Sequence, residues 1–375
     1  MSKPKVSIVR CDDYNAPDLY EKVCEAASAV LNADALIKHG TKVLLKPNLL
    51  FGTPPERAVT THPQIVRAVG EFVKDRGGEL WIGDSSGYGS CARNMRLSGI
   101  EQVAKELGAK IIPFTEPVDS GHADLKYARN FRIEKAVLEA DVLINLPKLK
   151  THGLTYFTGA AKNLFGCLPG LQKGKTHVRL PDRENFSAML VELNRIIKPQ
   201  LSIMDAVVGM EGSGPGSGDP RKVGLILAGV NTFAVDVVAC EIIGLPPHDV
   251  PNIRMAAEQK LGPESLNDIS ILGEKIEDIR IPDFKLREPA DGLKRLKHFF
   301  MKVAGKVLRT IIFEVPDLKT KKCNKCFRCA EVCPIEAVRK SARGPVFDYK
   351  SCIRCYCCQE MCPEGAIKLK RKLIF

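Results

Sequence analysis

The sequence predicts an α/β protein, in which a body with a mostly parallel sheet and helices is followed by a small α+β domain rich in cysteine. Short apolar runs suited to buried strands alternate with amphipathic stretches over residues 1–275. Nine of the fourteen cysteines then fall within residues 323–362, and eight of these form a repeated pattern. We therefore expect an α/β domain over 1–290, a linker helix over 291–315 and a small domain over 316–375.

The predicted strands of the body are short apolar runs, and the stretches between them have helical periodicity. The strands are expected near 5–9, 42–46, 79–83, 109–113, 141–146, 201–205 and 223–228. The helices are expected over 17–31, 63–75, 98–107, 185–197 and 231–243. Thr61-His62-Pro63 is typical of a helix start, because a capping residue precedes an early proline. The regular alternation of strands and helices indicates a sheet that is mostly parallel.

Polar and charged side chains follow four of the predicted strands, at the points where these strands end. They are Lys46, Asn48, Asp84, Ser85, Asn145, Lys148, Lys150, His152 and Asp205, with Lys162 and Asn163 further along the chain. Ligands of open parallel sheets bind at the carboxyl ends of the strands. We therefore expect these residues to share one edge of the sheet. Its lysines would attract a small anion, such as a carboxylate or phosphate compound.

Within this predicted anion site, Lys148 and His152 are the candidates for catalytic proton transfer. A lysine among like-charged neighbours has a lowered pKa, which suits it to that role. The other residues of the set are candidates for substrate binding, and Asp84 and Asp205 are also candidates for orienting the proton donors or binding a metal. Each of these roles has a purely structural alternative. For example, Asp84 can cap a helix, and the glycine-rich residues 212–218 can form a turn. The dinucleotide fingerprint and the P-loop are both missing.

The cysteines of the small domain spell the pattern Cys-x2-Cys-x2-Cys-x3-Cys-Pro twice, 29 residues apart. This pattern is the ligand signature of bacterial-type [4Fe–4S] clusters, in which the fourth cysteine serves the other cluster. We therefore expect two [4Fe–4S] clusters. The ligands of the first would be Cys323, Cys326, Cys329 and Cys362, and those of the second Cys333, Cys352, Cys355 and Cys358.

Zinc and disulfides are the competing interpretations of these cysteines. Zinc sites use two Cys-x2-Cys pairs or Cys/His pairs, without a third cysteine at the same step. Disulfides belong to secreted chains, and the amino terminus has no apolar signal core. Two full copies of the pattern favour iron–sulfur clusters in a reducing, cytoplasmic setting. Cys357 lies between two ligands and is expected to be unligated.

These motifs resemble two known families. Over about residues 316–375 the chain resembles the two-cluster ferredoxins, because both copies continue alike, as Cys-Pro-Ile-Glu-Ala-Val and Cys-Pro-Glu-Gly-Ala-Ile. Over about residues 40–245 the body resembles the family catalogued as domain of unknown function 362. That resemblance is carried by Lys-Pro-Asn-Leu at 46–49, Thr-His-Pro at 61–63, Gly-Asp-Ser-Ser-Gly at 83–87, the stretch 145–166, and Asp205 with its glycine-rich sequel. The first resemblance implies one-electron transfer. The second implies an α/β body with a ferredoxin tail, and no established reaction.

All of the net charge of +12 arises in residues 291–375, which hold 20 Lys and Arg against 8 Asp and Glu. The cations among the cysteines are Lys321, Lys322, Lys325, Arg328 and Arg354. They would offset the negative charge of the clusters, so nucleic acid is not an expected partner. Residues 292–313 have an apolar helical face and a basic remainder, and Pro316 would end that helix. A connecting helix is favoured over contact with an anionic membrane surface.

Three functions are consistent with these observations. The first is an iron–sulfur oxidoreductase that transfers electrons between its clusters and the cationic site of the body. The second is a ferredoxin-type electron carrier whose body only docks redox partner proteins. The third is a redox-sensing or scaffold protein. The first predicts that alanine at Lys148 or His152 abolishes turnover while the cluster spectra stay intact.

Overall fold

The computed structural model describes residues 3–121, 124–128, 131–170, 172–286 and 312–373. A ten-stranded sheet forms the centre of the body. The strands of the body are β1 (Lys5–Arg10), β2 (Lys42–Pro47), β3 (Glu79–Asp84), β4 (Lys110–Pro113), β5 (Pro117–Asp119), β6 (Arg132–Glu134), β7 (Val142–Leu146), β8 (Lys148–His152), β9 (Tyr156–Thr158), β10 (Leu201–Glu211), β11 (Asp219–Gly229) and β12 (Ser270–Gly273). The pair β5 and β6 forms a separate hairpin. All seven predicted strands are present.

The order of the strands confirms the predicted fold class. The sheet runs β12-β1-β11-β10-β7-β2-β3-β4, and β8 extends it by pairing with β10 and β9. The pairs from β10 through β7, β2 and β3 to β4 are all parallel. β11 is antiparallel to both β10 and β1. The body is therefore an α/β domain on a mixed, mostly parallel sheet.

The five predicted helices are also present, with shifts of a few residues at their ends. The helices of the body are α1 (Leu19–Val30), α2 (Ala33–Leu36), α3 (Pro63–Lys74), α4 (Cys91–Leu97), α5 (Ile100–Glu106), α6 (Lys135–Glu139), α7 (Ala160–Asn163), α8 (Gln172–Arg179), α9 (Arg183–Ile196), α10 (Thr232–Ile242), α11 (Pro251–Glu258) and α12 (Ile276–Ile279). At the start of α3, the side chain of His62 accepts a hydrogen bond from the N–H of Gln64, and Pro63 takes the first helical position. This is the capped start that the sequence predicts.

Helices cover both faces of the sheet, as the alternation along β2 illustrates. Val43 and Leu45 point into a core that α1 and α3 cover, whereas Leu44 points into the core beneath α9. Side chains along a strand alternate between the two faces, so three consecutive apolar residues serve two cores. Burying each such side chain contributes about 1.5–3 kcal/mol.

The structure corrects the sequence prediction at β8 and β10. The sequence places Asp205 at the end of its strand, but β10 continues to Glu211 and Asp205 lies in its middle. The reason is that β11 pairs with β10 as far as Glu211, while β8 pairs with the other edge of β10 beyond the end of β7, with Lys148 opposite Asp205. The apolar pattern does not predict β8, because charged and apolar side chains alternate along it. All five of its residues are nevertheless buried.

The small domain consists of β13 (Ile312–Leu318), β14 (Val338–Arg339), β15 (Val346–Phe347), β16 (Ile367–Leu373), α13 (Arg328–Glu331) and α14 (Cys357–Glu360). β13 pairs with β16, and β14 pairs with β15, both antiparallel. The predicted linker helix over 291–315 is wrong for residues 312–315, because pairing with β16 makes them part of a strand. Pro316 lies within that strand, and residues 291–311 lie outside the described ranges. None of the helices in the described ranges has both the length and the apolar character needed to cross a bilayer.

Candidate functional site

The duplicated cysteine pattern folds into two copies of one backbone. α13 and α14 occupy equivalent positions in the two copies. Left-handed backbone conformations recur at equivalent positions as well, and the pairs are Lys325 with Arg354, Phe327 with Tyr356, and Glu336 with Gly365. Residues other than glycine rarely adopt a left-handed conformation. Their repetition therefore indicates that both cysteine loops are held in the same shape.

The four cysteines predicted to hold the first cluster line a single cavity. Cys323, Cys326 and Cys329 reach it from the first copy of the pattern, and Cys362 reaches it from the second. The backbone N–H of Ala366 donates to Cys362 Sγ at 3.3 Å. Hydrogen bonds to cysteine sulfur are among the features that tune iron–sulfur clusters. The donor set of this cavity therefore fits a cluster whose fourth ligand crosses from the other copy.

The sulfurs predicted to hold the second cluster also lie close together. Burial raises the pKa of the Cys358 thiol well above its usual value, and the thiols of Cys355, Cys352 and Cys333 add to this effect together with Cys329 of the first set. The backbone N–H of Ala337 donates to Cys333 Sγ at 3.2 Å, which matches the bond made in the other copy. Cysteines bind metal as thiolates, so thiols that oppose one another's ionisation are arranged to share a positively charged group.

The second cysteine copy is packed against the carboxyl edge of the body sheet. The side chain of Gln359 donates to the carbonyl oxygens of Ser213 at 3.1 Å and Gly214 at 3.3 Å. At Gly216, an added Cβ would lie 2.1 Å from the carbonyl oxygen of Glu360. The glycine-rich loop between β10 and β11 therefore receives α14, because only glycine allows so close an approach.

The first cysteine copy contacts the body as well. The guanidinium of Arg328 lies over the rings of Phe51 and Tyr88, at 5.2 Å and 4.5 Å from their centroids. The Tyr88 hydroxyl donates to Glu331 at 2.7 Å. Val332 packs against a buried apolar cluster that contains Phe51 and, from the second copy, Met361. The small domain is thus attached to the body through both of its halves.

Lys148, Lys150 and His152 form a row of nitrogen-bearing side chains on one face of β8, since alternate residues of a strand share a face. Their exposed fractions are 1%, 0% and 0%. Burying a charge is costly unless it is paired and hydrogen-bonded. The partner of each side chain therefore decides its charge.

Lys148 is paired with a carboxylate. Its Nζ lies 2.8 Å from Asp205 Oδ2 and donates to the Tyr14 hydroxyl at 2.7 Å. The Tyr14 hydroxyl in turn donates to Asp205 Oδ1 at 2.8 Å, and its ring stacks on His62 with 3.6 Å between centroids. Burial lowers the pKa of Lys148, and the Asp205 carboxylate opposes this effect. Asp205 therefore favours the charged form of Lys148.

Lys150 has neutral partners instead. Its Nζ donates to Asn48 Oδ1 at 2.7 Å and to the carbonyl oxygen of Val59 at 2.8 Å. Burial lowers the pKa of Lys150 well below its ordinary value, and the nearby charges of Lys162 and Lys148 lower it further. A lysine with a strongly lowered pKa can accept a proton or act as a nucleophile. Lys150 is therefore the member of the row that is best suited to exchange a proton.

His152 connects the row to the small domain. Its Nδ1 accepts hydrogen bonds from the N–H groups of Leu154 at 2.9 Å and Thr155 at 3.2 Å. The ring proton is therefore assigned to Nε2, which lies 3.0 Å from Glu360 Oε1. Burial raises the pKa of Glu360, but His152 and Lys162 outweigh burial and hold that pKa below its usual range. Glu360 is thus an anion that α14 presents to the end of the row.

Lys46 and Asp84 form a buried ion pair of 2.8 Å beside the row. Asp84 also accepts from the N–H of Leu49 at 2.8 Å. Lys173 of α8 approaches from the other side, where its Nζ donates to Ser85 Oγ at 2.8 Å. Burial lowers the pKa of Lys173 to about 8, against the attraction of Asp84. Asp84 is therefore paired with Lys46, and its charge also acts on the nearby Lys173.

Three asparagines join the parts of this network. Asn48 donates to Asn163 Oδ1 at 3.0 Å, and Asn163 donates to Asn145 Oδ1 at 2.8 Å. Asn145 also donates to the carbonyl oxygen of Ala160 at 3.0 Å. These bonds hold β2, β7 and α7 together, so the asparagines have a structural role in addition to the predicted binding role.

The structure thus brings the predicted residues together, but as a buried and mutually bonded network instead of an open cationic pocket. Asp84 and Asp205, the candidate metal ligands, are both occupied by lysines. Across the described ranges, no group of three or more His, Cys, Asp or Glu side chains forms a site for a single metal ion. Two large surface cavities are lined by residues outside the network. The anion-binding and catalytic roles of these residues therefore stay predictions.

Sequence patterns do not single out Tyr14, Lys173 or Glu360. Tyr14 lies in an irregular segment, and Lys173 lies on α8, a helix that periodicity does not predict. Glu360 does give one signal in the sequence. It is a carboxylate between two predicted cluster ligands, where a negative charge is unexpected. That signal can be interpreted only when the positions of Lys148, Lys150 and His152 in the fold are known.

Comparison with protein families supports both parts of the chain. The family described as "Domain of unknown function (DUF362)" matches residues 43–241, and the family described as "4Fe-4S binding domain" matches residues 345–368. The second match covers the later copy of the cysteine pattern. The protein is therefore an iron–sulfur electron-transfer protein with at least one [4Fe–4S] cluster.

The thylakoid-associated protein sll1697 of Synechocystis sp. is 35% identical over 308 residues, which cover 79% of this chain and 95% of that protein. The lactate racemase apoprotein from Thermoanaerobacterium thermosaccharolyticum has a TM-score of 0.42 and 12% identity, over 64% of this chain and 57% of that chain. A Thermotoga maritima protein has a TM-score of 0.36 and 14% identity, over 59% of this chain and 58% of that chain. This chain thus spans less than two thirds of either solved structure. By the extent of the first family match and the identity to the Synechocystis protein, the chain belongs to the DUF362 family, whose domain is followed here by a 4Fe-4S domain.

Proposed function

We propose that the protein is an iron–sulfur oxidoreductase, in which two [4Fe–4S] clusters are coupled to the buried network at the carboxyl edge of the body sheet. The observation that supports this proposal is the distance of 3.0 Å between His152 Nε2 and Glu360 Oε1. Glu360 lies between the proposed ligands Cys358 and Cys362, and His152 ends the row of β8. The buried network and the cluster domain therefore share a direct contact.

The proposal of two clusters is supported by the repetition of the backbone and of the N–H···S bonds. Cys362 lines the cavity of the first cysteine copy, which supports the exchange of fourth ligands between the copies. Each cluster, when bound, supplies one-electron transfer. The ligands of the first would be Cys323, Cys326, Cys329 and Cys362, and those of the second Cys333, Cys352, Cys355 and Cys358.

The residues of the body would bind the substrate and exchange protons. Lys150 would exchange a proton through its neutral amine, since its partners are Asn48 and the Val59 carbonyl group. Lys148, held in its charged form by Asp205, would supply positive charge, and His152 would hold a proton on Nε2. The network contains more lysines than carboxylates, so its ligand would be a small anion such as a carboxylate or phosphate compound.

The first experiment is anaerobic purification followed by iron and sulfide analysis. Two clusters require about eight iron atoms per chain, whereas one cluster requires about four. Thermal denaturation with a panel of carboxylates and phosphates would then identify a ligand, since binding at a hundredfold excess over Kd adds about 2.7 kcal/mol of stability.

Single variants test the role of the body once a ligand is known. Lys150→Met and His152→Ala should abolish turnover while the iron content and visible spectrum stay those of the wild type. Lys38→Met, at an exposed position on the body, is the matched control and should keep full activity. Full turnover in the Lys150 and His152 variants would contradict the proposed role of the network.

A second function is favoured by the closed, mutually bonded state of the network. The protein could act as an electron carrier, with a body that docks redox partner proteins and catalyses nothing. Electron flow to partner proteins would then be unchanged in Lys150→Met and His152→Ala. No anion would stabilise the protein in the thermal assay.

The name of the Synechocystis relative associates that protein with thylakoids. For this chain we propose a cytoplasmic location, with a redox partner protein and a small anion as partners and without nucleic acid. Cell fractionation tests the location. Recovery of the protein in the membrane fraction would favour contact with a membrane surface instead.

A further inference from the structure

The cysteines of the small domain lie at different depths. Cys326 is the one exposed cysteine among the fourteen of the chain, all of which are described. It lines the cavity that also contains Cys323, Cys329 and Cys362. Cys355 and Cys358, of the second group, are buried. Between them in the chain, Cys357 opposes, with Glu360, the lowering of the pKa of Lys162 by burial, which places this part of the second copy near the body.

Four exposed lysines lie within seven residues of Cys326 along the chain, and we call them with Cys326 the outer basic face. They are Lys319, Lys321, Lys322 and Lys325. In the described part of the chain none of them forms an ion pair with a carboxylate, and the ammonium of Lys325 donates to the carbonyl oxygen of Ala342 at 2.9 Å. One carboxylate, Glu364, lies on the rim of the cavity, where it accepts from Asn324 at 3.0 Å. The outer basic face therefore has a clear excess of positive charge.

This charge has two uses that can be separated. Lysines close to a cluster stabilise its reduced form, but fully exposed ammonium groups are screened by water and salt, which weakens that effect. The same exposed charges act strongly on an approaching partner, because complementary potentials steer association and orient the two proteins. Their position around the one exposed sulfur favours the second use.

We propose that the outer basic face docks an acidic electron-carrier protein, which exchanges electrons with the chain at Cys326. The inference rests on the proposed function for the presence of a cluster at this cysteine. In the exchange one electron leaves the reduced carrier and is gained by the chain, or the reverse, and no covalent bond forms or breaks. Glu360, between the ligands Cys358 and Cys362, contacts His152 and would connect the cluster domain to the body network.

The test uses the full chain, purified without air, and a charge-reversal variant, Lys321→Glu with Lys322→Glu and Lys325→Glu. The matched control is Lys38→Glu with Lys74→Glu and Lys198→Glu, which changes the net charge equally at exposed positions of the body. An acidic flavodoxin serves as the probe, and basic cytochrome c serves as the opposite probe. Stopped-flow association rate constants and calorimetric Kd values are measured at low and at physiological ionic strength.

We expect the first variant to lower the association rate constant for flavodoxin roughly tenfold or more at low ionic strength, and to remove its salt dependence. The control should change that rate constant less than about twofold, as distant surface charges do. Cytochrome c should associate faster with the first variant than with the wild type. A milder variant with glutamine at the three lysines should fall between the wild type and the reversal.

Equal flavodoxin rate constants and Kd values for the two charge-reversal variants would overturn the docking surface. So would a change in the midpoint potential of the cluster without any change in Kd, since the lysines would then act on the cluster alone. Iron and sulfide analysis of the same samples separates this result from failure of the proposed function. Samples with full iron content and unchanged association refute the docking surface only, whereas samples without iron refute both.

Discussion

The contact between His152 and Glu360 gives a quantitative prediction about how the small domain is held on the body. The change is His152→Ala, with Glu360→Ala and the double variant completing a double-mutant cycle. The two side chains are 0% and 6% exposed, and their atoms are 3.0 Å apart. Water therefore cannot compensate for the loss of either partner.

The magnitude follows from this burial. Removing the polar partner of a buried group costs about 1–3 kcal/mol, and more when the remaining group is charged, because that group is left without compensation. Lys162 stays close to Glu360 and lessens that cost. The N–H groups of Leu154 and Thr155 lose their acceptor, which adds to it. We expect His152→Ala to lower the free energy of unfolding by about 3 kcal/mol, with a coupling energy of about 2 kcal/mol between the two side chains.

The assay is anaerobic urea unfolding followed by far-ultraviolet circular dichroism, with the visible absorbance monitored in parallel. The matched control is the cycle for His248 and Asp249, whose side chains are 73% and 22% exposed and 3.5 Å apart. An exposed pair of this kind should show a coupling energy below about 0.5 kcal/mol. A coupling energy for His152 and Glu360 that is equally small would show that this contact does not hold the small domain on the body.

Three further predictions concern the packing, the pH dependence and the cluster ligands. Gly216→Ala places a Cβ 2.1 Å from a main-chain oxygen of α14, so the small domain should pack less closely on the body. Limited proteolysis of the small domain should therefore become faster. The control is Gly174→Ala, whose added Cβ has its nearest neighbour at 3.9 Å and which should behave as the wild type. Burial lowers the pKa of His177 from 6.5 to about 4. The unfolded chain then binds more protons than the folded chain between these pH values, so stability falls as the pH drops through this range. His177→Phe should flatten that fall in urea titrations at several pH values, and an unchanged slope would contradict the assignment. Cys357→Ala should keep its full iron content while Cys358→Ser loses about four irons per chain, and loss of iron from the first variant would identify Cys357 as a ligand.

Local patterns predicted the regular parts of the body well, because burial of a strand between two helical layers requires a continuous apolar run. β2 and β3 are such runs, and both were found at the predicted positions. β8 has no such run, because distant parts of the chain stabilise its buried lysines: Asp205 pairs with Lys148, and Asn48 and the Val59 carbonyl oxygen accept from Lys150. Asp205 lies inside β10 because β11 pairs with β10 as far as Glu211, well beyond the apolar run at 201–205.

The sequence by itself determined the fold class and the predicted cluster ligands. Strand–helix alternation sets the class, and thiolates within one short loop are positioned by covalent spacing alone. Only the tertiary structure decided which charges are paired. Lys148 is opposite Asp205, Lys46 meets Asp84, and His152 meets a carboxylate of the other domain. These partners lie far apart along the chain, so three-dimensional packing brings them together, and no local periodicity encodes such a contact.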